Sequence, residues 1–332
     1  MKKLLSIAIA AAVAAPMAVN ADTTLYGIMD FTLANTDKGG VDAWDLEDGN
    51  GSSRLGVKGS EDLGNGLKAI FQYEWSTGSD ISGDAAGGTY NSGTNGQNSG
   101  LSTRVAKVGL SGGFGTVAVG RMWSPYYMSV GKLNIHDMSG SGSMGSWLGG
   151  GFRYSNSVKY SSPNMNGFSA EAMITTGNDA TDADASTLVE DGVDNLSLGL
   201  NYNNGPISVG LGYEDRTTGV ATDSDWLGVS GSYNFGNFMV VAGYQDQSNT
   251  AANTDVDAFQ LAGQAFFGNN TLTLSYGERD SEVAGADLDV WALGVRHAFS
   301  KRTRVYAEYS QLDSDTAADD TDKFGIGLRH DF

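Results

Sequence analysis

From residue 22 onward, apolar and polar side chains alternate in segments about nine to eleven residues long, bounded by Gly, Asn, Asp or Ser. Successive side chains of a β-strand point to opposite faces, so Leu25, Met29, Phe31 and Leu33 share one face of the first segment, with Tyr26 and Asp30 on the other. Leu67, Ala69, Phe71, Tyr73 and Trp75 oppose Lys68, Gln72 and Glu74 in the same way. Ile207, Val209, Leu211 and Tyr213 oppose Ser208 and Glu214, and Phe238, Val240, Ala242 and Tyr244 oppose Gln245. The final segment places Phe324, Ile326, Leu328 and Phe332 opposite Lys323, Arg329 and Asp331, and stops on an aromatic ring. One face suits lipid and the other water. About sixteen such segments, each long enough to cross a bilayer at a tilt, predict an all-β fold: a transmembrane antiparallel β-barrel.

The connections alternate in length. Short turns fall at Asp62-Leu63-Gly64-Asn65-Gly66, Asn203-Asn204-Gly205-Pro206, Asn234-Phe235-Gly236-Asn237 and Gly268-Asn269-Asn270, where Gly and Asn supply tight reversals. Between them lie long polar stretches over 36–51, 77–101, 122–151, 178–192 and 313–322. Short turns on one side of a membrane and long loops on the other are the layout of an outer-membrane barrel, and an even strand count returns both termini to the short-turn side. A soluble sandwich does not require this alternation.

The amino terminus carries a secretory signal: Lys2 and Lys3, an apolar run from Leu4 to Ala15, then Val19-Asn20-Ala21. Residues 1–21 are expected to be removed and 22–332 to form one barrel. No later run approaches the roughly 18 to 20 apolar residues of a spanning helix. The composition agrees, with 47 Gly and only 4 Pro in 332 residues, as expected of many strands joined by tight turns. The lack of Cys excludes disulfides, thiol catalysis and zinc–cysteine sites, and no cofactor is expected.

Six segments in order resemble the general porins of Gram-negative outer membranes. They are Thr24-Leu25-Tyr26-Gly27, the stretch from Arg54-Leu55-Gly56-Val57-Lys58-Gly59 to Gly66, and Gly112-Gly113-Phe114-Gly115-Thr116 to Gly120-Arg121. The others are Asn156-Ser157-Val158-Lys159-Tyr160, Leu293-Gly294-Val295-Arg296-His297 to Thr303, and the closing Gly327-Leu328-Arg329-His330-Asp331-Phe332. The resemblance covers the whole mature chain and implies a sixteen-stranded, water-filled channel for passive diffusion of ions and small hydrophilic solutes. It also implies a homotrimer in contact with lipopolysaccharide and outer-membrane lipid, and barrel-insertion machinery that reads Phe332 as an assembly signal. Nucleic acid is not among the expected partners.

The candidate chemistry is charge on the water-facing parity. Arg54 and Lys58 lie opposite Leu55 and Val57, and Arg104 lies opposite Val105, so all three are expected to point into the channel. By the resemblance, Arg54 and Arg104 match two rungs of an arginine ladder, and Arg153, which shares parity with Lys159, stands two residues from the third. The stretch 122–151 takes the place of the family's constriction loop, folded into the lumen opposite that ladder. It carries Trp123, Tyr126 and Tyr127 but one acid, Asp137, so the acidic side of the pore is expected to be weak unless Asp30 or Glu74 contributes. His136 reads as a solvated loop histidine.

The formal charge of −19 is concentrated in the predicted external loops, at Asp37, Asp42, Asp45, Glu47 and Asp48, at Asp179 to Asp191, and at Asp313 to Asp322. Two readings stand side by side: a solvated, mutually repelling surface, or loops that gather divalent cations weakly, without a specific metal site, and bridge to lipopolysaccharide phosphates. Loop acids favour cations and the basic wall favours anions, so the ion preference stays open. Two other functions remain. Trp123, Tyr126 and Tyr127 fit a sugar-specific channel. An enzyme barrel such as a phospholipase would need a serine beside His136, His297 or His330, and no such partner is evident.

Overall fold

The computed structural model describes residues 22–50, 53–77, 101–138, 153–176, 193–216, 224–249, 255–283, 285–316 and 319–332. The expected signal peptide, most of the loop 77–101, the end of the loop 122–151 and the acids from 179 to 191 lie outside the described residues.

Strand β1 (Asp22–Lys38) pairs near its carboxy end with β2 (Val41–Asp48) and near its amino end with β3 (Arg54–Gly64). These two segments therefore act as one stave, interrupted around Asn50. The chain continues up and down through β4 (Leu67–Ser76), β5 (Ser102–Gly112), β6 (Gly115–Trp123), β7 (Arg153–Ser161), β8 (Phe168–Thr175) and β9 (Asn195–Asn204). Next come β10 (Ile207–Arg216), β11 (Ser224–Asn234), β12 (Phe238–Asn249) and β13 (Val256–Phe267). The last four are β14 (Asn270–Ser281), β15 (Leu288–Ala298), β16 (Thr303–Ser314) and β17 (Thr321–Asp331). Each pairs antiparallel with the next, and β17 returns to β1 from Ile28↔Asp331 to Lys38↔Thr321, closing a barrel of sixteen staves. Closure removes the free edges that an open sheet would leave in lipid.

Two stretches expected as external loops are shortened by strand, and the first of them is mostly strand. Thr36, Asp37 and Lys38 pair with Ala43, Asp42 and Val41 around Gly39-Gly40, whose φ values of 58° and 83° suit a tight reversal. Likewise β16 runs to Ser314 and β17 begins at Thr321. Polar composition marks the end of the membrane band, while the backbone ladder runs on until a turn residue stops it.

The outward face is apolar, with Leu25, Met29, Leu33, Val108, Leu110, Leu211, Leu274 and Ile326 all exposed. Its border toward the long connections carries a repeated pair in which a tyrosine donates to an aspartate of the next strand. Tyr213 and Asp225 lie at 2.8 Å, Tyr276 and Asp289 at 2.6 Å, Tyr309 and Asp322 at 2.8 Å, and Tyr244 pairs with Asp257. At the other border His297 and His330 approach the rings of Phe299 and Phe332. Amphipathic rings at both edges of an apolar band are the interface girdles of a membrane barrel.

The inward face is polar and partly covered. After β6 the chain forms a short helix, α1 (Pro125–Val130), started by Ser124, whose Oγ accepts the Tyr127 N–H at 3.1 Å, and by Pro125 in the first turn. A 3₁₀ turn, Gly131–Leu133, follows. This segment lies on a bed of inward glycines, Gly199, Gly210, Gly212, Gly228 and Gly243, on β9 to β12. A Cβ at Gly228 would stand 2.6 Å from Val130 Cγ1, one at Gly243 2.6 Å from Leu133 Cδ1, and one at Gly210 would meet the Ser129 carbonyl oxygen. Leu133 fills the hollow with Val241, Ala258, Ala262 and Val290, a burial worth about 2 kcal/mol.

Candidate functional site

The first half of the site is a row of arginines on the inner face of β3 to β7. Glu74 on β4 sits in their midst. Its Oε1 accepts from Arg104 Nε at 2.8 Å and lies 3.6 Å from Arg54 Nη1, while Oε2 accepts from Tyr26 Oη at 3.0 Å. Lys58 places its ammonium 4.9 Å from the Tyr26 ring centre. Arg121 donates to the carbonyls of Thr103 and Arg153 and to Ser155 Oγ, all neutral acceptors. Arg153 stacks over Trp123, with Cζ 4.6 Å from the ring centre. Of the four guanidinium groups in this row, Arg54 and Arg104 share the Glu74 carboxylate.

Strand parity alone does not deliver this arrangement. Val105, expected on the lipid face opposite Arg104, is itself buried at 2% exposure. The β4–β5 register shifts between Glu74 and Trp75, so that Glu74 faces Val105 and Trp75 faces Thr103. Arg104 is the extra residue of this bulge and reaches the same face as Val105. A second register shift lies between Gly120 and Met122 opposite β7, where Asn156 has a φ of 52°. There Tyr154, the neighbour of Arg153, is also buried, packed with Met122 and Met173.

The second half is the segment 124–138 and the inner wall it follows. The Tyr126 N–H donates to Ser197 Oγ at 3.0 Å, Tyr126 Oη donates to Gln245 at 2.7 Å, and Ser230 donates to the Ser129 carbonyl at 2.7 Å. Burial pushes the Tyr126 phenol up and the Lys132 ammonium down, and Lys132 is held by the Ser129 carbonyl and Asn201. Farther on, His136 Nε2 lies 2.8 Å from Ser275 Oγ, and both oxygens of Glu308 accept the backbone N–H groups of Asp137 and Met138 at 2.8 Å. The Asp137 carboxylate accepts from Arg304 at 2.6 Å and Arg296 at 3.1 Å. At the far side Asn50 donates its backbone N–H to the Asp137 carbonyl at 2.7 Å and its side-chain amide to the His136 carbonyl, also at 2.7 Å, and to Asn134. From β9 round to the break between β2 and β3, the segment therefore traces the inner wall opposite the arginine row.

Two expectations change here. His136 is buried, not solvated, because it anchors the segment to β14. It also has a serine partner, Ser275, with Glu308 Oε2 3.6 Å from its Nδ1. Asp137, the acid of the segment, is held by Arg296 and Arg304. Sequence reading passed over those two arginines and Glu308. Arg296 alternates with Leu293 and Val295, and Arg304 with Val305 and Tyr309, so their inward parity was available. Asp30 completes the junction between the halves, accepting from Tyr306 at 2.8 Å and lying 3.6 Å from Arg329. Among the described residues, no group of three or more acids and histidines is arranged to hold a metal ion.

The chain matches a family described as Gram-negative porin over residues 8–317. It is 35% identical over 251 residues to Outer membrane porin protein 32 of Delftia acidovorans, covering 71% of this chain and 66% of that protein. It is 29% identical over 265 residues to an outer membrane porin protein of Bordetella pertussis, covering 70% of this chain and 66% of that protein. The chain thus spans just under two thirds of the length of these relatives. An anion-selective porin from Comamonas acidovorans shares the fold with a TM-score of 0.79 and 27% identity, over 94% of this chain and 100% of that one.

Proposed function

The chain belongs to the Gram-negative porin family, and from that premise we propose that its barrel is a water-filled outer-membrane channel for passive diffusion, with a preference for anions. Ions and small hydrophilic solutes cross down their gradients between two surfaces. One is the row of Arg54, Arg104, Arg121 and Arg153, with Lys58 beside it, and the other is the segment 122–138, which narrows the lumen as a constriction loop. The observation that carries the anion preference is the pairing of Asp137 with Arg296 and Arg304. The loop's acid is neutralised on its own wall, so no free carboxylate of the described loop offsets the arginines across the water. The anion selectivity of the Comamonas acidovorans porin, similar in fold, supports the same sign. Recording the reversal potential in asymmetric potassium chloride tests it: the potential takes the chloride sign, and a potential of the potassium sign would reject the preference.

In this reading three copies associate in the outer membrane, in contact with lipopolysaccharide, and the insertion machinery recognises Phe332. No covalent chemistry is involved. Ser275, His136 and Glu308 have the order of a hydrolytic triad, yet Ser275 is 3% exposed and Glu308 is occupied by two backbone N–H groups, so the trio serves to anchor the loop. A sugar-specific channel would show saturable block of conductance by sugar, which a general diffusion channel does not.

A further inference from the structure

An arginine in an aqueous pore can be fixed in two ways. A carboxylate fixes it and cancels its charge, whereas an aromatic face fixes it and leaves the charge intact. Arg54 and Arg104 share Glu74, the first way. Arg153 takes the second. It stands directly across the ladder from Trp123, its guanidinium carbon lies 4.6 Å from the indole centre, and its Nε and Nη1 are buried without a hydrogen-bond partner among the described residues. Arg104 approaches the same indole at 5.7 Å. The indole is itself stacked on Tyr127 of α1, with ring centres 4.6 Å apart and planes 15° apart. Trp123 therefore joins the first turn of the loop to two arginines of the wall: Arg104, which Glu74 holds, and Arg153, which pairs with no acid among the described residues.

We propose that Trp123 is a specificity-determining positioning residue: its indole holds the Arg153 guanidinium at the pore wall with the charge unneutralised, beside an Arg104 whose charge Glu74 balances. The inference rests on the anion preference proposed above. Without the ring, Arg153 gains rotamers that carry its charge away from the water path, and the loop's stacking partner is lost with it. A leucine fills similar space without a π face, and a phenylalanine keeps a weaker one.

The test is a cycle of channels in planar bilayers: wild type, Trp123→Leu, Trp123→Phe, Arg153→Gln and the double variant Trp123→Leu/Arg153→Gln. Each is first shown to be a folded barrel by its heat-dependent gel mobility. The chloride-to-potassium permeability ratio at low salt should fall by about 2–5-fold in Trp123→Leu, the range set by loss of one cation–π contact, and by less in Trp123→Phe. In the Arg153→Gln background the same Trp123→Leu change should leave the ratio nearly unaltered, because the residue through which it acts is gone. A purely structural role, in which loss of the indole displaces the loop, predicts an equal fall in both backgrounds and would overturn the proposal. So would an unchanged ratio in Trp123→Leu, or, should that variant not fold, a Trp123→Phe channel whose ratio equals that of wild type. A wild-type channel that prefers potassium fails the underlying reading and this inference together, whereas a chloride-preferring wild type with an additive cycle fails this inference alone.

Discussion

Asp137 accepts from Arg296 and Arg304, while the backbone N–H groups of Asp137 and Met138 go to Glu308, so the side chain and the backbone of this residue do different work. Replacing Asp137 with Asn removes a negative charge and leaves both backbone anchors in place. Two arginines are thereby freed, and the chloride preference should rise with little change in open-channel conductance. A variant whose ion preference stays at the wild-type value would show that Arg296 and Arg304 lie outside the path of permeating ions. Parity read Arg54 and Lys58 directly, because β3 is regular where they sit. Arg104 reached the inner face for a different reason, a bulge that no alternation rule reveals, since the extra residue leaves the pattern on either side intact. His136 was misread because a polar, glycine-rich stretch looks solvated whether it faces water or a polar wall.

The loop element depends on what its partner strands lack. Gly210 on β10 has no room for a side chain, because the Ser129 carbonyl oxygen occupies the space, and a backbone atom cannot swing aside as a side chain can. Substituting Gly210→Ala should therefore lift α1 from its bed, giving single channels of larger and less steady conductance, with the barrel's heat stability retained. Conductance identical to wild type would mean that α1 does not narrow the path. The bed could have been seen in the sequence as Gly199, Gly210, Gly212, Gly228 and Gly243 on the polar parity of neighbouring strands. The helix was harder to foresee: Ser124-Pro125 is a helix start, but six residues are too few for a 3.6-residue period to show.

The closing element gives a second expectation. Phe332 exchanges two backbone hydrogen bonds with Gly27, each 3.0 Å, and its ring covers the position where Gly27 lacks a Cβ. Phe332→Asp keeps both backbone bonds, removes the ring, a loss of about 2 kcal/mol of burial at most, and adds an exposed carboxylate. Outer-membrane levels should nevertheless fall sharply if the ring is read by the insertion machinery. Normal levels would leave Phe332 as a seam residue only.

Across the whole molecule, sixteen staves were legible because alternation repeats in every strand and a closed barrel uses each one alike. Loop lengths were less legible, since β1 and β2 extend their ladder through polar sequence to the turn at Gly39-Gly40. The proposed trimer predicts a high-mass band in unboiled samples that collapses to monomer on heating, and monomeric migration without heating would contradict it. The net charge of −19 and the anion preference are compatible because they concern different places: many of the acids stand at the strand ends that carry the long connections, and the arginines stand within. Charges that far apart act separately at ordinary salt, where screening sets in over about 10 Å at 0.1 M. Comparing reversal potentials of wild type and Arg54→Gln/Arg104→Gln from low to high salt probes this division. The wild type should prefer chloride, the double variant should shift toward potassium, and the gap should close as salt rises. A folded double variant with the wild-type potential at low salt would show that these arginines do not line the narrow part of the pore.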